Sequence, residues 1–472
     1  MFSLLSGLAL LAVSFLLLKL GTIYWERSHL PPGPFPFPIL GNLWQLSFQL
    51  HPETLLQLAQ AHGNVFTVWV GPTPVVVLSG FWMVKEALVS NSEQFSGRPL
   101  TPLFRDVFGE RGVICSNGHT WRQQRCFCLA TLQELGLGKL ALELQLQGEA
   151  AELAEAFHQE QGRPFDPRVH IVTSTARVIG ALVFGHHFLL EDPFFRELIQ
   201  AIDFGLAFVS TIWRRLYDLF PWAFRHLPGP HQEMFRYQKA VRGYICREIS
   251  RHKLRTPEAP KDCSPHHSSP THQATDNPVS TFNEENLIQV VVDLFLGGTN
   301  TMATTLCWAL ICVVQHGAIQ GKGADRELLP YTLTVHEVQH LSSVVTADAV
   351  RQCVTSTHVH GHPVPKGTII LSNLASVLYD PECWETPNNS TLVLDTALGH
   401  EALVCLGDQL ARMELFLMFA TLLRTFWFQL PEGSPGLRRE YIFGGTRQPR
   451  PQEICTVPRL NCPDPGPGEE GV

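Results

Sequence analysis

The chain has 472 residues, of which 45% are hydrophobic and 17% charged, and 35 basic against 43 acidic side chains leave a net charge of −8. That balance excludes a nucleic-acid-binding surface, which needs concentrated positive charge. Twelve cysteines run from Cys115 to Cys462 without paired spacing, which argues against a disulfide framework and for a reducing compartment.

The first 25 residues, MFSLLSGLALLAVSFLLLKLGTIYW, carry no charge before Lys19. Such a stretch is long enough to span a bilayer. Lys19 and Arg27 flank its C-terminal side, so the rest of the chain is expected to face the cytoplasm. A buried N-terminal helix is the alternative. Residues 26–40 follow as a linker, stiffened by five prolines between Pro31 and Pro38. VFTVWVGPTPVVVLSG then reads as a β-hairpin turning at Gly71-Pro72. Apolar periodicity predicts helices over 52–62, 81–90, 117–131, 138–160, 168–185, 192–209, 230–253, 283–316, 330–341 and 406–425. Short strands are predicted near 349–360, 368–372 and 453–457. Residues 256–281, rich in Pro, Ser, Thr and His, read as a disordered loop. Its Cys263, His266, His267 and His272 match no zinc spacing. Residues 461–472 read as a disordered tail.

Three stretches carry chemical possibilities. Trp121 and Arg125 stand four apart, so an indole N–H and a guanidinium share one helix face and can clamp a carboxylate. A plain surface pair is the competing reading. Gly297-Gly298 interrupts a strongly apolar helix at a cost of about 1 kcal/mol per glycine. That pattern fits close approach of a ligand or of another backbone, and Thr299 and Thr301 can bond back to carbonyls there. A packing notch would look the same. Cys405, finally, stands just ahead of a long apolar helix, where the N-terminal dipole end and free N–H groups favour a thiolate.

Taken in order, the apolar anchor, PPGP, FSGRP with Arg98, WRQQR, LFLGGTNT, PKGT at 365–368 and the cysteine before a buried helix resemble the microsomal cytochrome P450 monooxygenases of family 2. The resemblance covers almost the whole chain. It implies a mainly α fold with small β-sheets, preceded by an N-terminal transmembrane helix, with a haem-thiolate domain over residues 41–460. It implies haem b with Cys405 as axial ligand of the iron, the thiolate favouring O–O cleavage. Trp121, Arg125, Arg98 and Arg351 match positions that hold the haem propionates, and Gly407 matches the glycine after the ligand. Thr301 matches the threonine that helps deliver protons to dioxygen. Asn300 replaces an acid usual just before it, and an amide carries no transferable proton. Phe295, Gly298, Val345 and Phe443 match the substrate pocket. The implied partners are NADPH-cytochrome P450 reductase, with cytochrome b5 as a further electron donor, the membrane of the endoplasmic reticulum, and a lipophilic xenobiotic, fatty acid or steroid.

Departures from the family pattern cluster. Its glutamate–x–x–arginine motif appears as Glu337 with His340. An unmatched Glu337 in a buried site would cost on the order of 3–5 kcal/mol, against about 5–15 kcal/mol for a whole domain. In the ligand loop, Leu398, Glu401 and Leu403 stand where an aromatic residue, a glycine and an arginine belong. Disruption is therefore expected near 260–281, 315–330 and 385–404. Two alternatives to the monooxygenase follow: an inactive membrane-anchored relic that binds haem weakly or not at all, and a reductase-independent isomerase or peroxygenase. The NNST stretch at 388–391 holds glycosylation sequons expected to stay unused in the cytoplasm.

Overall fold

The computed structural model describes residues 2–46, 51–135, 140–186, 188, 192–254, 280–317, 320, 338–339, 342–345, 350–378, 380, 405–434, 436–437 and 440–459; for 2–9, 11–12, 15–16 and 254 it describes the backbone only. The expected helix at 330–341, with Glu337 and His340, lies almost entirely outside these residues. So do the histidine-rich loop, the sequons and positions 398–404.

The chain divides into two compact units. The first comprises Met1–Leu103, Thr211–Leu227 and Val345–Val404; the second comprises Phe104–Ser210, Pro228–Val344 and Cys405–Val472.

The first unit opens with helix α1, Phe2–Arg27, followed by α2, Pro52–His62. Strands β1 (Val65–Val70) and β2 (Thr73–Leu78) form the expected hairpin, with Val70 opposite Thr73 and Gly71 in the left-handed region at φ 63°. Helix α3 (Phe81–Lys85) continues into a π turn at Glu86–Ser90. The expected single strand at 349–360 is instead split into β3 (Arg351–Gln352) and β4 (Thr357–Val359), and β4 pairs with β5 (His362–Val364). Strand β6 (Ile369–Ser372) runs parallel to β2 and completes a sheet of order β1-β2-β6-β3. Val76, Val77, Leu78 and Ile370 fill its two faces and are fully buried, as a sheet covered on both sides requires.

The second unit is helical because its apolar residues recur at helical period and its ends are capped. Helices α5 (Gly118–Glu134) and α6 (Leu140–Gln159) precede α7, Pro167–Phe184. Asp166 accepts from the Arg168 N–H at 3.0 Å, Pro167 opens α7 and Gly185 ends it at φ 69°, the expected start and stop chemistry. Asp192 and Pro193 repeat that device for α8, Pro193–Val209. Helix α11 spans His231–Leu254; α4 (Pro102–Phe108), and in the first unit α9 (Ile212–Leu219) and α10 (Pro221–Phe224), were not legible as helices in the sequence. The apolar stretch expected as one helix over 283–316 is two, α12 (Glu284–Gly298) and α13 (Asn300–Gln315), broken at Thr299. Short α14 (Leu374–Leu378) belongs to the first unit, and α15 (Asp408–Thr425) closes the helical set in the second. Strands β7 (Phe426–Gln429) and β10 (Cys455–Pro458) pair, as do β8 (Tyr441–Gly444) and β9 (Thr446–Pro449). The second unit's core lies where α6, α7, α12, α13 and α15 meet, with Phe157, Phe295, Leu306, Phe419 and Phe426 each at most 1% exposed.

Residues 284–315 form a stretch long and apolar enough to cross a membrane, yet 72% of its most apolar window is buried inside the protein. It is a core element.

Candidate functional site

Cys405 is exposed, and Gly407 stands two residues on as the residue entering α15. No side chain caps that helix start, so its first N–H groups remain available to an anion. A side chain built at Gly407 would meet nothing within 4 Å. Asp408 and Arg412 pair at 3.1 Å on the solvent side of the first turn. Leu410, Leu415, Met418 and Phe419 bury the other face against the core. The helix is thus anchored by its body while its cysteine end stays open.

The break between α12 and α13 provides a second open surface. Leu294, Gly297 and Thr301, spaced as one helix face, are partly or fully exposed there. Gly297 has open space where a Cβ would stand, whereas a Cβ on Gly298 would lie 2.5 Å from Ile179 Cδ1 of α7. The two glycines therefore divide the roles left open by the sequence: Gly297 keeps an exposed helix face clear and Gly298 is the packing notch. Phe295, expected in the pocket wall with Gly298, is 1% exposed and lies 6.1 Å from the Phe184 ring. Its position one residue round the helix turns it into the core.

The backbone at the break is held by side chains, while Thr299 Oγ1 and Asn300 Nδ2 stay buried without a partner. Thr299 N–H reaches the Phe295 carbonyl at 3.2 Å, and the Thr301 hydroxyl donates to the Gly297 carbonyl at 2.6 Å. The Thr175 hydroxyl donates to the Thr299 carbonyl at 3.2 Å. Asn300 points away from the open face: it is 1% exposed, and its Oδ1 accepts from Thr304 Oγ1 at 3.1 Å and from Gln448 Nε2 at 3.3 Å. The Trp308 indole N–H donates to the Arg447 carbonyl at 2.7 Å. Strand β9 is thereby tied along α13, and Gly444 of β8 lies 3.3 Å, measured from a Cβ built there, from the Leu206 carbonyl of α8. Phe443 is half-buried on the same strand. Gln448 carried no local signal in the sequence; only the tertiary contact exposes its role.

Trp121 is 8% exposed on α5, its Nε1 is buried with no acceptor, and the Arg125 guanidinium lies 5.8 Å from its ring centroid. A buried donor left unpaired costs about 1–3 kcal/mol. An indole N–H held ready beside a guanidinium is the arrangement a carboxylate-bearing ligand would satisfy.

A loop ahead of α5 is latched to α12. Asp293 accepts from the Val113 and Ile114 N–H groups at 2.7 and 3.0 Å and from Gln289 Nε2 at 2.9 Å, while Asn286 Oδ1 accepts from the Gly112 N–H at 3.1 Å. Burial pushes Asp293 up to about 6, against these hydrogen bonds, which pull it down. Sequence reasoning passed over Asp293, although a lone acid inside an apolar helix was signal enough.

In the first unit, Gly97 and Gln352 exchange both backbone hydrogen bonds, at 3.1 and 2.7 Å, as an antiparallel bridge. That register sets Arg98 opposite Arg351, which is 4% exposed. Like charges directly opposite repel, so the facing arginines suit an anionic ligand. Val345 is 42% exposed.

The donor set of the second unit, a sulfur at an uncapped helix start, a glycine-cleared helix face and an orphaned indole N–H, fits a thiolate-ligated macrocycle bearing carboxylates. That defines the class, and comparison with known proteins agrees. The cytochrome P450 family model matches residues 31–389 and 403–456. Human cytochrome P450 2J2 is 34% identical over 466 residues, covering 92% of each chain. Cytochrome P450 2J5 of Mus musculus is 34% identical over 97% of each chain, and human cytochrome P450 2D6 is 36% identical over 92% of this chain and 94% of its own. The chain belongs to the cytochrome P450 family, and within it to family 2, a family of haem-thiolate monooxygenases. The family match skips 390–402, directly before Cys405, where the sequence lacks the aromatic residue, glycine and arginine of the ligand loop.

Proposed function

We propose that this chain is a membrane-anchored haem-thiolate monooxygenase that inserts one oxygen atom from O2 into a lipophilic small molecule. The observation that carries the reading is the exposed Cys405 at the uncapped start of α15. Haem b bound there supplies thiolate-assisted O–O cleavage. The chain's own residues do the rest. The helix dipole and the free N–H groups of α15 favour the ionised sulfur. Trp121 Nε1 and Arg125 would donate to a propionate. Leu294 and Gly297 leave an apolar face for substrate. Thr301 holds its proton on the Gly297 carbonyl at 2.6 Å, where a small rotation turns it toward the open face. Asn300 accepts but transfers no proton. Electrons come from NADPH-cytochrome P450 reductase, with cytochrome b5 as a second donor, at the cytoplasmic face of the endoplasmic reticulum. Helix α1, with 26 residues, is about 39 Å long at 1.5 Å per residue, enough to cross the bilayer.

The second reading, an inactive relic, is favoured by one specific observation: the family match fails at 390–402, and His340 replaces the arginine that should partner Glu337. One experiment separates the two. The expressed chain, reduced and exposed to carbon monoxide, is expected to show the Soret band of thiolate-ligated haem. Absence of haem absorbance, or a band typical of a neutral axial ligand, supports the relic.

A further inference from the structure

Two helices of the second unit each carry a carboxyl in their buried stripe. On α15, Glu414 stands between Leu410 and Met418 at four-residue spacing and is 1% exposed. On α6, Glu149 stands between Leu146 and Leu153 and is also 1% exposed. Such spacings line one helix face, and α6 and α15 pack on each other in the core. Glu414 Oε1 is buried without a hydrogen-bond partner. Acidic side chains are almost never fully buried unless paired, so a carboxylate at this place is costly unless its charge is cancelled.

Positive charge near the pair is short. Arg177 of α7 lies 3.6 Å from Glu149 Oε1, but it is shared with Glu152 on the next stretch of α6. The other titratable residues of α6, Glu143, Glu155 and His158, are exposed. Of the remaining elements packed on α15, α13 carries only the thiols Cys307 and Cys312, and β7 carries no titratable group. Burial pushes Cys307 up to about 12, so it stays neutral. On α15 itself Arg412 and Arg424 are exposed, and Arg412 is held by Asp408. Burial, and then the negative charge of Glu149, raise Glu414 well above the ordinary carboxyl value of 4.5. Two like charges in one dry site cannot both stay ionised. A proton held by one of them supplies the hydrogen bond that Glu414 Oε1 otherwise lacks.

We propose that Glu414 and Glu149 hold one proton between them, as a carboxylic acid bonded to a carboxylate, and that this proton pins the cysteine-bearing helix α15 to α6. Its loss places two negative charges in the core with Arg177 as their nearest cation, and loosens the seating of α15, whose start carries Cys405. The unfolded chain releases the Glu414 proton near 4.5, whereas the folded pair keeps it. The native state therefore binds the extra proton above that value, and stability falls as pH rises through the folded pKa. The pair needs no haem, so it is open to measurement under either functional reading.

The test is infrared spectroscopy of the full-length chain at neutral pH, with and without isotope labelling of its glutamate carboxyls. The carbonyl stretch of a protonated carboxylic acid is expected, moved by the glutamate label and abolished in Glu414→Gln. On alkaline titration the parent is expected to lose this band, and Glu149→Gln to lose it at lower pH, because the neighbouring negative charge is gone. Glu414→Gln still donates to Glu149 but has no proton to release. In denaturant titrations it is expected to lose the fall in stability above about 6, where Asp293 has already levelled off. Absence of a glutamate acid band in the parent overturns the proposal, as does a band or an alkaline fall that survives in Glu414→Gln. Loss of the band at the same pH in Glu149→Gln overturns the sharing, leaving burial alone to hold the proton. The labelled parent and Glu149→Gln decide the matter even where Glu414→Gln does not fold.

Discussion

The two ends that make up the candidate site are built on opposite plans. At the break between α12 and α13 the carbonyls of Gly297 and Thr299 accept from the Thr301 and Thr175 hydroxyls, and Asn300 is tied to Thr304 and Gln448. At the start of α15 nothing caps the helix, and the cysteine stands in the open. The first region spends most of its polar groups on one another. The second keeps its N–H groups and sulfur unspent, so a ligand completes it. Buried polar networks hold shape when satisfied, whereas an uncapped helix start is a binding site in waiting for negative charge.

Substitutions can break that contrast. The largest effect is expected from Cys405→Ser, which should remove the thiolate-type Soret band of the reduced carbon monoxide complex. Because the side chain is exposed, the stability of the haem-free chain should stay within about 0.5 kcal/mol of the parent. A thermal melt of the haem-free protein checks the second half.

Asp293→Asn comes next, through pH. The native carboxyl holds its proton up to about 6, while the unfolded one releases it near 3.8. The native state therefore binds more protons between those values, and stability falls as pH rises from 3.8 to about 6, then levels off. The contribution is on the order of 2–3 kcal/mol. The asparagine variant should lack that slope in denaturant titrations run across the same range. A slope left intact would mean that another group carries it.

The adjacent glycines sharpen the comparison within one helix. Gly298→Ala drives a methyl into Ile179 and should cost about 1–3 kcal/mol. Trp121→Phe should lower haem retention about ten-fold, the lower end for a group that orients a metal site. It should not destabilise the haem-free chain, since its N–H has no acceptor there; titration of haem into the apoprotein tests this. The smallest effect belongs to Gly297→Ala, which faces open space. It should stabilise the haem-free helix by up to about 1 kcal/mol, measurable by denaturant midpoint, while narrowing the substrate face.

Most helices were legible because their periodicity is strong and their caps are local: Asp166-Pro167 and Asp192-Pro193 announce α7 and α8 in the sequence itself. Helices α4, α9 and α10 were not, because each is too short for a period to accumulate. The single strand expected over 349–360 turned out as separate pieces, since the intervening turn has no strong Gly-Pro signal before Gly361. Strands β7, β8 and β9 were missed because the tertiary partner makes the strand, β10 for Phe426–Gln429 and each other for the hairpin. Within the candidate site, Cys405, Trp121, Arg125 and Thr301 were singled out by motif order. Phe295 and Gly298, expected beside the substrate, pack against α7 instead, because a rotation of one residue decides between an open face and the core, and neighbouring apolar residues look alike in one dimension.

By itself the sequence determined the family, the candidate ligand cysteine and most of the helical scaffold, since these rest on local spacing and residue type. Tertiary structure alone decided which glycine clears the cavity and which notches α7. It decided that Asn300 is held by Gln448 across 148 positions and that Arg98 stands opposite Arg351. Each of these depends on which neighbour arrives from far along the chain, and a side chain's charge balance and free space are properties of that neighbourhood.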